Sequence, residues 1–400
     1  MGMDRRKFMG QMLGVCSAGA CLGLAKASTA VNEQWEAILN EHTLAAIETD
    51  TVQIRWPRQA GRNAQLGIHG HGPKQGICRI TTDRGASGWG VFGGGQKAAQ
   101  PLLDKYKGVR LTKLFDTAVG VIDNGVLPLD FALHDLAGQI LGIPVYRMMG
   151  AAKPAVIPCY SGMIYFDDLD PEDNPAGIKK VLENCQADIE IGYRQLKVKI
   201  GRGYKWMPVK DGLQRDIEVT LAIAKEFPEI EILVDANNGF THEHTIQYLD
   251  ALGDLDLFWM EEPFHENREG FLMLREWLTS HGKKTYIADG EARPDQKLLL
   301  ELAREKLLDV HLTDIVGYGF TKWRKLMPVL KDIGVLTSPH AWGSGIKTNY
   351  ITHIATGLGN VVTIEGVTSA CEQVDLSRYK LKDGKITPPE LPGFGMKLKV

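Results

Sequence analysis

From about residue 156 to 365 the chain repeats one rhythm, a short apolar run followed by an amphipathic stretch of helical period. The runs fall at 156–160, 195–200, 231–235, 257–260, 286–289, 310–314, 335–338 and 361–365, with helical patterns between them such as 213–227 and 271–280. Strands separated by helices call for parallel pairing with right-handed crossovers. Eight such units over about 210 residues fit a closed (β/α) barrel better than an open doubly wound sheet, which tends to have fewer strands and a Gly-rich phosphate turn. No G-x-G-x-x-G sits at a strand-to-helix turn, and Gly93-Gly94-Gly95 lacks both the spacing and the helix of such a motif.

Upstream the pattern is mixed. Alternation over 78–82, a turn at Asp83-Arg84-Gly85 and a second run at Gly88-Trp89-Gly90-Val91 predict a hairpin. Phe131, Leu133, Leu136, Ala137, Ile140 and Leu141 recur at helical spacing until Gly142 and Pro144 stop them. Residues 53–75 are rich in Gly, Arg and His with little periodicity, which predicts a long loop. Pro388, Pro389 and Pro392 predict an extended tail returning over this α+β module.

Residues 1–27 read as an export signal, cleaved after Ala27. Arg5-Arg6-Lys7-Phe8 precedes a run of small and apolar residues, and Ala25-Lys26-Ala27 offers a small-x-small site. The arginine pair is of the twin-arginine type, so the expected location is the periplasm, with no stable membrane span after processing. The whole chain has 46 basic and 49 acidic side chains, a net charge of −3. Four basic residues and one acidic residue leave with the signal, so the mature chain stands at −6. That balance gives nothing to neutralise a phosphate backbone, so no nucleic acid is expected as partner and a small molecule is. Cys78, Cys159, Cys185 and Cys371 match neither a C-x-x-C pair nor a disulfide framework and are read as small buried hydrophobes.

In a barrel the chemistry lies where strands end at the C-terminal face. The second run carries Lys197 and Lys199, which the strand period puts on one face. The third ends at Asp235, the fourth at Glu261, the fifth at Asp289-Gly290-Glu291, the sixth at Asp314, the seventh at Ser338-Pro339-His340 and the eighth at Glu365. Taken singly, each carboxylate is better read as a helix cap or a lysine partner. Three at consecutive strand ends raise one another's pKa unless a cation joins them, and all-oxygen ligands favour a hard ion such as Mg²⁺. Lys199 is a candidate base, its pKa lowered by Lys197 and the metal, and Asp314 could hold His340 in one tautomer. Glu365 is left to hydrogen-bond a developing oxyanion or hold a neighbouring cation.

Together these residues resemble the enolase superfamily, and within it the mandelate racemase subgroup. The hairpin from Cys78 to Gly90 looks like the family's capping strands, and Leu129-Asp130-Phe131-Ala132-Leu133-His134-Asp135-Leu136-Ala137-Gly138 resembles its signature helix. Leu196-Lys197-Val198-Lys199-Ile200-Gly201, Val234-Asp235-Ala236-Asn237, Glu261-Glu262-Pro263 and Gly290-Glu291 follow in family order. The resemblance implies a (β/α)7β TIM-type barrel at 153–366 and an α+β capping domain built from 28–152 and the segment 367–400. It implies Asp235, Glu261 and Glu291 as Mg²⁺ ligands, with Asp289 competing for the third place. It makes Lys199 one base and His340 with Asp314 the opposite acid or base, Glu365 a hydrogen-bond partner of the substrate carboxylate and Lys197 a residue that helps hold it.

The expected reaction removes the proton α to a carboxylate, and dehydration of a sugar acid to a 2-keto-3-deoxy acid is the first choice. Racemisation, epimerisation or cycloisomerisation is the runner-up, and a non-catalytic sugar-acid binding protein the further alternative. A homo-oligomer is expected. Arg55, Arg58, Arg62, His69 and His71 in the long loop are candidates to select the far end of the substrate, with a solvated loop the competing reading. His69-Gly70-His71 has the H-x-H spacing of a metal hydrolase but precedes the barrel.

Overall fold

The computed structural model describes residues 31–291 and 294–399, so the expected signal lies outside the described residues. Three antiparallel strands, β1 (Leu44–Gln53), β2 (Lys74–Thr82) and β3 (Ser87–Val91), form a sheet in that order. The expected hairpin is β2 with β3. β1 carries no clean alternation because its pairing with β2 slips between Leu44 and Ala46, leaving the buried Leu44 and Ile47 three residues apart where a regular strand needs two.

The helix Asp130–Leu141 lies against this sheet and ends at Gly142, which takes the left-handed conformation at φ 66°. Gly88 and Gly90 permit the approach: a Cβ on Gly88 would stand 2.2 Å from Leu136 N, and one on Gly90 2.5 Å from Phe131 Cβ. Asp135 on this helix accepts from Trp89 N at 3.1 Å and from Phe394 N at 2.8 Å. The tail reaches this helix at Gly393, whose N donates to Ile143 O and whose O accepts from Val145 N. A two-residue hairpin, β4 (Phe115–Asp116) with β5 (Gly120–Val121), completes this part.

Eight parallel strands follow: β6 (Ile157–Ile164), β7 (Gln195–Lys199), β8 (Glu231–Asp235), β9 (Trp259–Glu261), β10 (Tyr286–Asp289), β11 (Val310–His311), β12 (Leu336–Thr337) and β13 (Ile364–Gly366). Each pairs with the next from β6 to β12, and β13 pairs back to β6. A parallel bridge between Thr337 and Val361 closes the ring. Both faces of the strands are covered: Leu196, Val198, Ile232, Val234, Met260 and Ile287 are buried on one face, and Leu233, Trp259 and Ala288 on the other. After the barrel come β14 (Val374–Asp375), β15 (Lys380–Lys382), β16 (Lys385–Thr387) and β17 (Lys397–Leu398). β15 and β16 form a hairpin that adds antiparallel to β6, and β14 pairs with β17. No described helix is long and apolar enough to cross a membrane.

Candidate active site

Strand register assembles the centre of the site. Lys199 stands opposite Asp235 and Asp235 opposite Glu261, so three adjacent strands deliver a lysine and two carboxylates side by side. Gly290, at φ 116°, turns the backbone past the end of β10 and brings Glu291 to the same point. One carboxylate oxygen from each of Asp235, Glu261 and Glu291 lies within 4.8 Å of the others, the one such group of three metal-ligating residues found among the described residues. Asp289 is not in that group; it is 2% exposed and its Oδ2 has no partner.

Every member of the triad also has a cationic neighbour. Lys199 Nζ bonds Asp235 Oδ2, Lys197 Nζ lies 2.9 Å from Glu261 Oε1, and His340 Nε2 lies 3.1 Å from Glu291 Oε1. Lys197 reaches Glu365 Oε1 as well, at 3.2 Å. Glu365 is further fixed by the amide of Ala341, which donates to its Oε2 at 2.6 Å. The sequence-predicted Lys197, Lys199, Asp235, Glu261, Glu291, Asp314, His340 and Glu365 are therefore all gathered at one end of the barrel.

Asp314 divides its oxygens between two tasks. Oδ1 caps the short helix Ile315–Tyr318 by accepting from Val316 N and Gly317 N, at 2.9 and 2.6 Å. Oδ2 takes His340 Nδ1 at 3.0 Å and Lys347 Nζ at 3.1 Å. Burial opposes ionisation of Asp314, but His340 and Lys347 hold its carboxyl well below the usual range. Burial likewise disfavours the imidazolium of His340, yet Glu291 and Glu365 outweigh it and push the pKa up to about 10. These carboxylates favour the protonated form of His340. Lys199 is held above the ordinary lysine value by Asp235 against the effect of burial. Glu261 is pushed well up by burial and by Asp235, whereas His340 and Lys199 pull Glu291 well below its usual value despite burial.

The triad fits a divalent cation on its own chemistry. All its donors are carboxylate oxygens, and Glu261 Oε2 and Glu291 Oε2 are buried without any hydrogen-bond partner. Two residues outside the expected set support it. Asn237 N donates to Asp235 Oδ1 at 2.8 Å, and Glu262, in the left-handed region at φ 39°, accepts from Glu291 N at 3.0 Å. Both sit inside motifs already noted, Val-Asp-Ala-Asn and Glu-Glu-Pro, but these bonds depend on where the Asp235 and Glu262 carboxylates turn, which motif spacing does not carry.

The long loop is tied down by distant partners. Arg58 makes a bidentate pair with the buried Asp188 and also donates to Met163 O. Arg62 bonds Asp170 and Glu172 and lies over the Trp206 ring. Arg55 is largely exposed beside Glu372. Two of the five candidates are thus engaged elsewhere, and Arg55 and His71 are exposed. His69 differs, packing edge-on to Tyr165 and Trp342 at ring-centre distances of 4.8 and 5.9 Å. The four cysteines named above are free and buried, and burial pushes the Cys78 thiol up to about 12.

A closed parallel barrel with a carboxylate triad at its C-terminal strand ends defines a metal-assisted barrel enzyme. The protein belongs to the Enolase C-terminal domain-like family, whose model matches residues 180–400, and is an enzyme of the enolase superfamily. It is similar to the galacturonate dehydratase of Geobacillus sp., solved with D-galacturonate and 5-keto-4-deoxy-D-galacturonate: 32% identity, TM-score 0.83, covering 90% of this chain and 95% of that one. A mutant of that enzyme, complexed with Mg, superposes at TM-score 0.84 with 32% identity over 90% of this chain and 94% of that one. The D-xylonate dehydratase of Haloferax volcanii is 23% identical over 90% of this chain and 92% of its own. The arabinonate dehydratase of Saccharolobus solfataricus is 25% identical over 70% of this chain and 71% of its own.

Proposed function

We propose that the protein is a Mg²⁺-dependent sugar-acid dehydratase. The reading rests on one observation: a lysine on β7 and a histidine after β12 both border the same carboxylate triad, Lys199 through Asp235 and His340 through Glu291. Mg²⁺ in the triad would neutralise Asp235 and offset negative charge developing on the substrate carboxylate, releasing Lys199 to act as a base.

Lys199 takes the proton from the carbon α to the carboxylate. His340 gives its proton to the β-hydroxyl, which leaves as water, and the enol that remains tautomerises to the ketone. Asp314 keeps His340 oriented and charged, while Lys197 and Glu365 position the carboxylate end. From an aldonic acid the product is a 2-keto-3-deoxy acid; from a uronic acid the same elimination places the ketone at C5 and the lost hydroxyl at C4, as in the product bound to the Geobacillus relative. Where no β-hydroxyl is present, reprotonation from the side opposite to proton removal gives a racemase or epimerase with the same residues.

The purified protein with Mg²⁺ and a panel of aldonic and uronic acids in D₂O tests the reading. A keto acid is expected from at least one of them, and Lys199→Ala and His340→Asn each abolish its formation. Full activity in either variant removes that residue from its role. Neither keto acid nor α-deuterium from the whole panel refutes the dehydratase assignment. Export follows from the arginine pair and is checked by sequencing the N-terminus of the protein recovered from the periplasm, expected to begin at Ser28. A homo-oligomer is expected in sedimentation velocity.

A further inference from the structure

His69 is contributed by the long loop, yet it stands among barrel residues. Its ring meets Tyr165 and Trp342, which themselves pack at 4.9 Å. Tyr165 in turn presents its ring to Lys199 Nζ at 5.5 Å, and Trp342 follows His340 by two residues. The loop backbone locks the histidine in place: His69 N donates to Ala60 O, and the pairing of Ala60 with Gly70 closes the turn around it. Trp56 braces Trp342, packing tilted against it at 4.9 Å and donating its indole N–H to Gly343 O.

The tautomer follows from one contact. His69 Nδ1 lies 2.7 Å from Gly61 O, and a carbonyl oxygen only accepts, so the proton is on Nδ1. Burial lowers the pKa of the ring and so favours its neutral form, with Lys199 adding to the same effect and the bond to Gly61 and the charge of Glu291 opposing it. Nε2 is then a bare lone pair, and no described residue donates to it. Such a nitrogen is unable to give up a proton as a general acid; it is built to accept one hydrogen bond.

We propose that His69 is a specificity-determining residue that accepts a hydrogen bond from a hydroxyl on the distal carbons of a sugar acid, with Tyr165 and Trp342 forming the floor for the C–H face beneath it. This rests on the sugar-acid reading above and adds the recognition of a neutral hydroxylated tail by a neutral acceptor. Aromatic rings suit that floor because they are large and rigid and present an apolar face to the C–H groups of a sugar, cyclic or open.

Two isosteric variants separate recognition from support. In His69→Asn the amide nitrogen replaces Nδ1 and retains the bond to Gly61 while the acceptor is lost; in His69→Gln a polar oxygen reaches the Nε2 position. D-galacturonate, D-xylonate and D-gluconate are titrated calorimetrically into the Mg²⁺-saturated protein, and turnover is followed in parallel. His69→Asn is expected to weaken binding of the best acid, and to raise KM, about tenfold with kcat nearly unchanged, whereas His69→Gln stays within about threefold of the parent. A purely structural role predicts the reverse order, because Gln abandons Gly61. Equal loss in both variants, or none in either, overturns the inference. The expected binding order without turnover would retain His69 as a reader and discard the dehydratase assignment. Failure of all three acids to bind overturns the inference about His69, while the dehydratase assignment stands or falls on the wider panel.

Discussion

Asp314 Oδ2 accepts from His340 Nδ1 at 3.0 Å, while the other oxygen of the same carboxylate caps the helix that follows. Asp314→Asn preserves the cap oxygen and removes the charge. It is expected to lower kcat about 10²–10⁴-fold, the usual weight of a positioned acid or base, with little change in thermal midpoint. A kcat within twofold of the parent would show that the pair is structural only.

Glu291 and Asp289 make opposite predictions for metal binding. Glu291 has a buried unpartnered oxygen within the carboxylate group; Asp289 lies outside it, and burial with Glu266 nearby pushes its carboxyl well up. In Mg²⁺ calorimetry Glu291→Gln should weaken binding about 10–100-fold and Asp289→Asn should leave it near parental. The reverse order would make Asp289 the third ligand.

Arg202 is fully buried between Asp168 and Asp216, at 2.7 and 2.6 Å, and Asp216 also accepts from Gly201 N just beyond the Lys197/Lys199 strand. Arg202→Met leaves two buried carboxylates facing each other without their cation. A loss of about 3–5 kcal/mol in urea unfolding is expected. A loss under about 1 kcal/mol would mean that Arg215, which also touches Asp168, compensates.

His353 is buried with Nε2 at 2.7 Å from Tyr379 Oη and with Nδ1 unpartnered, and burial lowers its pKa to about 3. Its folded-state pKa is below the unfolded value, so its contribution is whole above about pH 6.5 and is lost as pH falls toward about 3. Between pH 7.5 and 5 the parent is expected to lose about 2 kcal/mol more stability than His353→Gln, measured by urea midpoints. Equal losses in the two proteins would place the acid sensitivity elsewhere.

The barrel was legible because parallel strands buried on both faces leave continuous apolar runs, and the site because the residues closing those runs are polar. Run lengths were less faithful: the run at 310–314 shrinks to Val310–His311, since Leu312 N makes a last bond to Asp289 O on β10 and Asp314 turns away to cap the next helix. β1 was hidden by its bulge. The loop arginines were ambiguous because their partners lie far along the sequence, Arg58 and Asp188 being 130 residues apart, and only the fold decides which of several polar side chains is already taken. The His69-Gly70-His71 spacing resembles a metal motif but precedes the barrel, and the two rings part there: Nδ1 of His69 is held by Gly61 O while His71 is exposed.

Asp135 makes two distant stretches of the chain depend on each other. One oxygen takes the amide of Trp89 in the early hairpin and the other the amide of Phe394, 259 residues beyond Asp135. During synthesis the helix that carries it emerges long before Phe394 is made, so this buried carboxylate lacks one of its two backbone donors until the segment around Phe394 follows. Loss of that segment should therefore be felt at the sheet beside the helix as well as where the cut is made.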